Sequence, residues 1–423
     1  MTASPAAVRI DDLAEPRFAP EIEAMRADVA GLAEGLEIAP GPLLAAAAGQ
    51  TGFDDFGDDR FREALAVLCR ALMEEAGLSP AGVVIAHTQL VALLKNRLLI
   101  EDLLRRHPEI DDLTVNRPIV IAGLPRTGTT HLHNLLSADP GLRSLPYWES
   151  LEPVLAAGER VGPDGADPRR ERTGAALAFM GSAIPLFERM HEMTIDHAHE
   201  EIQLLGIDFS SMLFETMAVM PSWRDWYRGT DQTPSYGYLK RVLKVLQWLR
   251  GGTRWVLKSP QHLEQFGPLM ATFPDATVVV THRDPVSITA SLATMVTYTA
   301  RLSLARVDPG QIGRYWADRV GDLLAACTAE RDTLPADRSL DVAFDDLLGD
   351  DLAVVERIYD VAGQPMTAAG RAAMTTFMAE HPRGRHGRVI YDLADFGLDP
   401  GERRRALRAY IERFDVAEEA HDR

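Results

Sequence analysis

Three short stretches hold the residues whose types and spacing could do chemistry. The first is PIVIAGLPRTGTTHLHNLLS, Pro118 to Ser137. A β-branched apolar run, Ile119 to Ile121, leads into Gly123 and Pro125. A turn containing Gly128 follows, then Leu132, Leu135 and Leu136 at helical spacing. Strand, tight loop, helix is the geometry in which backbone N–H groups and a helix N-terminus converge on a phosphate. Gly123 and Gly128 keep the spacing of G-x-x-x-x-G-K-[ST], but Thr129 fills the lysine slot and the nearby cation is Arg126, inside the loop. A nucleoside triphosphatase of this class uses that lysine to reach the β- and γ-phosphates. The loop is therefore suited to holding a phosphate and poorly built to transfer one.

The second stretch, RWVLKSPQHLEQF (Arg254 to Phe266), ends a strand on Lys258 before Ser259-Pro260 break into a helix. Ligands of open α/β sheets bind at such carboxyl ends, so a lysine there meets an anion. The third, DATVVVTHRDPVSITASLATM (Asp275 to Met295), delivers Arg283 at the end of a strand, with Pro285 opening the next helix. His-Arg-Asp resembles a kinase catalytic loop in letters only, since Thr289 stands where that loop needs Asn. Arg283 offers a planar fork for a phosphate, and Ser291 on the following helix can add a hydroxyl.

Two further clusters follow. HPRGRHGRVIYDLADFGLD sets Arg383, Arg385 and Arg388 among Gly384 and Gly387, a basic loop able to approach an anion closely. HEMTIDHAHEEIQ holds His191, His197, His199, Glu200 and Glu201. H-E-x-x-H fails there because Ile195 occupies the second histidine's slot, and no metal is expected. Asp196 is a candidate N-cap, and His199 with Glu200 is expected to face an acceptor pocket. From Phe209 to Tyr227 an aromatic and methionine-rich stretch reads mainly as core, and secondarily as a pocket for a hydrophobic alcohol, phenol or lipid.

The elements that must position these residues can be read from the rest of the 423 residues. Helical periodicity over about residues 21–36, 59–76 and 80–106 predicts a helical N-terminal region, 1–112. From 113 to 423, short strands at 119–122, 254–258, 276–281 and 340–344 alternate with helices. That pattern predicts an α/β fold, a P-loop-type parallel sheet flanked by helices, with a helical insertion at about 150–250. A C-terminal helix is expected near Pro400–Glu418.

The formal net charge of −18 argues against general nucleic-acid binding, and it obliges any anion site to be a local basic cluster. Cys69 and Cys327 are the two cysteines, in no zinc spacing, which fits a reducing cytoplasm. The first residues lack a basic segment followed by an apolar core, and apolar runs such as Leu43 to Ala48 are too short to span a membrane.

Taken together, PRTGTT at Pro125–Thr130, Lys258 in WVLKSPQH, and Arg283 with Ser291 resemble the sulfotransferases that use 3′-phosphoadenosine-5′-phosphosulfate (PAPS), over roughly Asn116 to Leu398. The likeness is to the bacterial branch allied with tyrosylprotein sulfotransferases. It implies that Pro125, Arg126, Thr127, Gly128, Thr129 and Thr130 wrap the 5′-phosphosulfate. It implies further that Arg283 and Ser291 bind the 3′-phosphate, and that Arg383, Gly384 and Arg385 close over it. The implied reaction moves a sulfuryl group to a hydroxyl, or an amine, of a small-molecule acceptor and releases adenosine 3′,5′-bisphosphate. Lys258 and Arg126 would stabilise the leaving oxygen, so no divalent metal is required. Glu149 in LPYWES matches the glutamate base of one branch, and His262 the histidine base of the other. The alternatives are a P-loop kinase using Mg-ATP and a non-catalytic nucleotide-binding protein.

Overall fold

The computed structural model describes residues 5–419. Four strands form a parallel sheet in the order β3-β2-β4-β5, where β2 is Ile119–Ala122, β3 Val256–Ser259, β4 Thr277–His282 and β5 Ser339–Ala343. Ile119 sits between Val256 on one side and Thr277 on the other. The strands that follow β2 in sequence thus lie on both of its flanks. That is a topological switch point, and the crevice at its carboxyl end is where an α/β sheet holds a ligand. β2, β3 and β4 are buried throughout, as their continuous Val/Ile runs require, whereas the edge strand β5 alternates buried and open positions.

Alternation along β2 divides the core. Val120 and Ala122 face one hydrophobic cluster, together with Leu257, Val278 and Val280. The N-terminal helices and helix Thr233–Arg250 complete that cluster, so the N-terminal region shares its core with the sheet. Ile119 and Ile121 face the other cluster, packed by helices Thr129–Ser137, Asp351–Ala362 and Ala368–Glu380.

The longest helix, Pro80–Arg106, starts where the sequence predicts: Pro80 is its first residue and the Ser79 hydroxyl accepts the Gly82 N–H at 3.0 Å. It is long and apolar enough to cross a membrane by length and composition, and just over half of its apolar window is buried inside the fold. Its first turn is pinned to the segment after helix Pro285–Ala300: the Ser79 N–H donates to the Ser303 carbonyl at 2.8 Å, and a Cβ on Gly82 would stand 1.9 Å from that oxygen.

Two local expectations need correction, and two elements were not foreseen. The C-terminal segment forms two short helices, Pro400–Ala406 and Arg408–Arg413, broken at Leu407 and ending before Glu418. Asp196 caps no helix; it pairs with Arg170, and the following helix is Ile202–Gly206. Helix Pro40–Thr51, whose Ala-rich run carries little periodicity, was not foreseen. Nor was the two-residue strand β1, Val8–Arg9, which pairs in parallel with β6, Val389–Ile390, and fastens the end of the basic loop.

Candidate active site

The loop after β2 is shaped by contacts that local sequence only partly discloses. Gly123 crosses β4 so closely that a Cβ would lie 1.9 Å from the Thr281 hydroxyl. Gly128 takes φ +83° as the N-cap of helix Thr129–Ser137, and Arg126 holds φ +74°, costly for a residue with a side chain. The Thr127 hydroxyl donates to the Leu124 carbonyl at 2.7 Å and lies 2.7 Å from the Thr281 hydroxyl. Thr127 therefore braces the loop from behind, while Pro125, Arg126, Gly128, Thr129 and Thr130 line a cavity of about 1970 Å³.

The basic residues gather at that end. Arg126 Nε donates to Ser291 Oγ at 3.1 Å, and Arg283 Nη1 donates to the Arg126 carbonyl at 2.5 Å, so loop, β4 and helix Pro285–Ala300 meet at one point. Arg283 also stacks on Phe344 and forks onto the Glu419 carboxylate at 2.5 and 2.8 Å. A planar carboxylate thus holds the guanidinium in the fork geometry that a phosphate would use. Arg383, Gly384 and Arg385 line the same cavity; Arg383 pairs with Asp351 at 2.6 Å and Arg385 pairs with Glu192. Lys258 stands just behind the lining, its ammonium paired with Glu200 and 3.5 Å from Thr130 Oγ1.

Both expected bases, Glu149 and His262, are buried and stand outside the lining of this cavity. Glu149 is buried, its oxygens 2.7 Å from Arg143 and 3.2 Å from Arg250. Trp148 does not give it an apolar setting, because Arg169 and Arg250 lie over that indole. His262 is fully buried, with Nδ1 2.7 Å from the Tyr236 hydroxyl and Nε2 2.5 Å from Glu201. Glu201 also accepts the Lys258 backbone N–H at 2.8 Å. Burial works to raise the Glu201 pKa, but His262 and that amide outweigh it and hold it below the usual carboxylate value.

Instead the cavity receives His191, His197, His199 and Glu200. His197 Nδ1 lies 2.7 Å from the Thr194 carbonyl and 3.2 Å from the Thr194 N–H; the shorter contact, to an oxygen that can only accept, places the proton on Nδ1. Burial lowers the His197 pKa, which favours the neutral ring, and its Nε2 is then an acceptor. That nitrogen lies 3.0 Å from His199 Nδ1, which must donate, and the lone pair of His199 falls on Nε2. Burial, reinforced by His197, His191 and Lys258, takes the His199 pKa well below its ordinary value. Burial with Lys258 nearby takes His191 down to about 3. The sequence marked His199 and Glu200 for the pocket; the order His197 to His199 needed the fold, although the x-spaced histidines were its visible trace. Among the described residues, no group of three or more His, Cys, Asp or Glu side chains is placed to hold a metal ion.

Residues 118–368 match the family model described as the sulfotransferase family. The chain belongs to the sulfotransferase family. It is similar to sulfotransferase STF1 from Mycobacterium tuberculosis H37Rv, with 34% identity and a TM-score of 0.76 over 86% of this chain and 97% of that one. It is also similar to sulfotransferase STF9 from Mycobacterium avium, with 26% identity and a TM-score of 0.81 over 92% and 99% of the two chains. No curated protein sequence gives a significant match. The chain is thus a sulfotransferase-family enzyme with an α/β fold, as its motifs implied; these likenesses do not extend to the tyrosylprotein branch.

Proposed function

We propose that this enzyme transfers a sulfuryl group from PAPS to a hydroxyl of a small-molecule acceptor and releases adenosine 3′,5′-bisphosphate. The observation that carries the reading is the convergence of Arg126, Arg283 and Ser291 beside a phosphate loop that has Thr129 where a kinase needs lysine. The loop N–H groups and Arg126 would hold the 5′-phosphosulfate. Arg283 and Ser291, with the Arg383–Arg385 loop, would hold the 3′-phosphate. The acceptor oxygen attacks sulfur in line, the bond from sulfur to the bridging oxygen breaks, and the bisphosphate leaves with that electron pair. Lys258, freed from Glu200 by the incoming anion, offsets the charge that develops on the leaving oxygen.

His199 Nε2 takes the hydroxyl proton, with His197 fixing its tautomer. Burial keeps the His199 ring neutral and by itself weakens it as a proton acceptor; the incoming anion, by offsetting the Lys258 charge that also lowers this pKa, restores part of its basicity. Fixed cations serve where a kinase uses metal, and turnover is expected to persist in EDTA. Two buried free thiols, pushed up to about 12, suit a reducing compartment and support a cytoplasmic location.

Calorimetry with adenosine 3′,5′-bisphosphate and with Mg-ATP tests the donor reading. Micromolar bisphosphate binding that falls at least about tenfold in Arg283→Ala supports it. Preference for Mg-ATP, or indifference to Arg283, overturns it.

A further inference from the structure

We propose that the acceptor is an uncharged, largely apolar molecule bearing a hydroxyl and larger than a single phenol ring. It would bind in the arm of the cavity between helices Pro80–Arg106 and Pro285–Ala300. The proposal rests on the sulfuryl-transfer reading and adds the acceptor class.

The first observation is size. Ligand pockets commonly enclose about 300–1,000 Å³, so a cavity of about 1970 Å³ leaves considerable room beside a nucleotide.

The second is how charge is distributed within it. The basic lining comes from the phosphate loop, Arg283, the Arg383–Arg388 loop, Arg9 and Arg189, whereas residues 78–89, 202–217 and 292–316 contribute no charged lining residue. A quarter of the chain is charged, so a wall drawn from three distant segments without a single charge is a distinct environment. Ile85, Leu213, Met217, Met295, Val296 and Trp316 form its apolar surface. Met217 and Met295 are half-buried and unbranched, able to adapt to an irregular apolar shape. A sugar, a charged amine or an acidic peptide would lose its hydration there against few polar partners.

The third is the arm's relation to the chemistry. His199 and Glu200 line the cavity immediately before Ile202 and Gln203 begin the uncharged wall, so a hydroxyl at the arm's inner end meets the proposed base. The far wall is the N-terminal helix, held in place by Gly82 against Ser303 and by an antiparallel bridge in which the Ala305 N–H donates to the Gly77 carbonyl at 3.0 Å. The N-terminal region is thereby part of the acceptor site as well as a brace for the sheet.

Calorimetric binding of 4-methyl-, 4-butyl- and 4-octylphenol, below their micellar concentrations and with adenosine 3′,5′-bisphosphate present, tests this on the full chain. Affinity is expected to rise by up to about fourfold per added methylene, and by at least about a hundredfold from methyl to octyl. In Met217→Asp and Met295→Asp that gain is expected to shrink to less than about tenfold, while bisphosphate affinity, which reports the fold and the donor site, stays unchanged. Turnover with PAPS is expected to follow the same order, with tyramine and glucose at least about a hundredfold poorer than 4-octylphenol. A flat binding series, or equal use of glucose, overturns the acceptor class whatever the donor. Loss of bisphosphate binding in the wild type overturns the donor reading and is seen separately.

Discussion

Glu200 and Glu201 are adjacent in the chain, yet the fold gives them opposite surroundings. Glu200 pairs with the Lys258 ammonium at the cavity wall, next to the His197–His199 pair. Glu201 is sealed against His262, whose other ring nitrogen meets Tyr236, and its second oxygen takes the Lys258 backbone N–H. The open cluster has groups that can exchange partners when an anion enters. The sealed cluster has every polar atom of Glu201 and His262 engaged, so it can set where Lys258 sits but cannot accept a substrate proton. Proximity to a lysine is thus a poor guide to catalysis; access to the cavity is what separates the two.

The sharpest way to break that comparison is to remove the cation they share. Lys258→Met is expected to lower kcat/KM by about 10³-fold, measured as label transfer from PAPS, while bisphosphate binding survives. Next, His199→Ala is expected to cost about 10²-fold in kcat of the folded enzyme, a larger loss than the modest destabilisation from its buried ring would cause. His262→Ala is expected to do the reverse. It leaves Glu201 buried without its partner, costing about 3 kcal/mol in urea unfolding, with kcat of the folded enzyme within about threefold. Equal loss of kcat in both, at equal stability, would erase the distinction.

Acidification sharpens it from another side. His133 and His191 are buried with pKa values pushed down to about 3, burial being the larger cause, with Lys258 adding to it. The unfolded chain binds these protons near pH 6.5 and the folded chain does not. Their contribution is therefore whole above about 6.5 and is lost progressively as pH falls from there toward about 3. The urea midpoint is expected to drop between pH 7 and pH 5; a midpoint that rises would show that these rings are not held neutral. The smallest effect is expected from Glu419→Gln, which removes the carboxylate forked onto Arg283. Bisphosphate affinity is expected to improve about fivefold, since the pair is partly exposed and the competing charge is only partly desolvated.

Much of the architecture could be read from the chain because it depends on near neighbours. The strand–loop–helix of Ile119 to Ser137, the proline-started helices at Pro80 and Pro285, and the three further strands come from patterns a few residues wide. The same is true of the basic end of the cavity: Arg126, Arg283, Ser291 and the Arg383–Arg385 loop were marked by residue type next to a strand end or glycine, and the fold gathers them around one cavity. Thr127 was marked with them and turns inward, because the hydroxyl nearest to it belongs to Thr281 on the next strand.

Which titratable groups face the cavity was not legible in this way. Whether a carboxylate or imidazole faces solvent or core is settled by segments far away in sequence. Arg250 closes over Glu149 from the end of a helix 101 residues on, and Tyr236 reaches His262 from the same helix. The uncharged part of the cavity lining likewise exists only where residues from the N-terminal helix, the insertion and the helix after β4 come together. The sequence by itself determined the family, the sheet and the residues that can hold an anion, since these follow from local backbone geometry and charge. Tertiary structure alone decided which titratable groups reach the cavity and where its apolar arm lies, because burial is a property of packing between distant segments and leaves no local pattern.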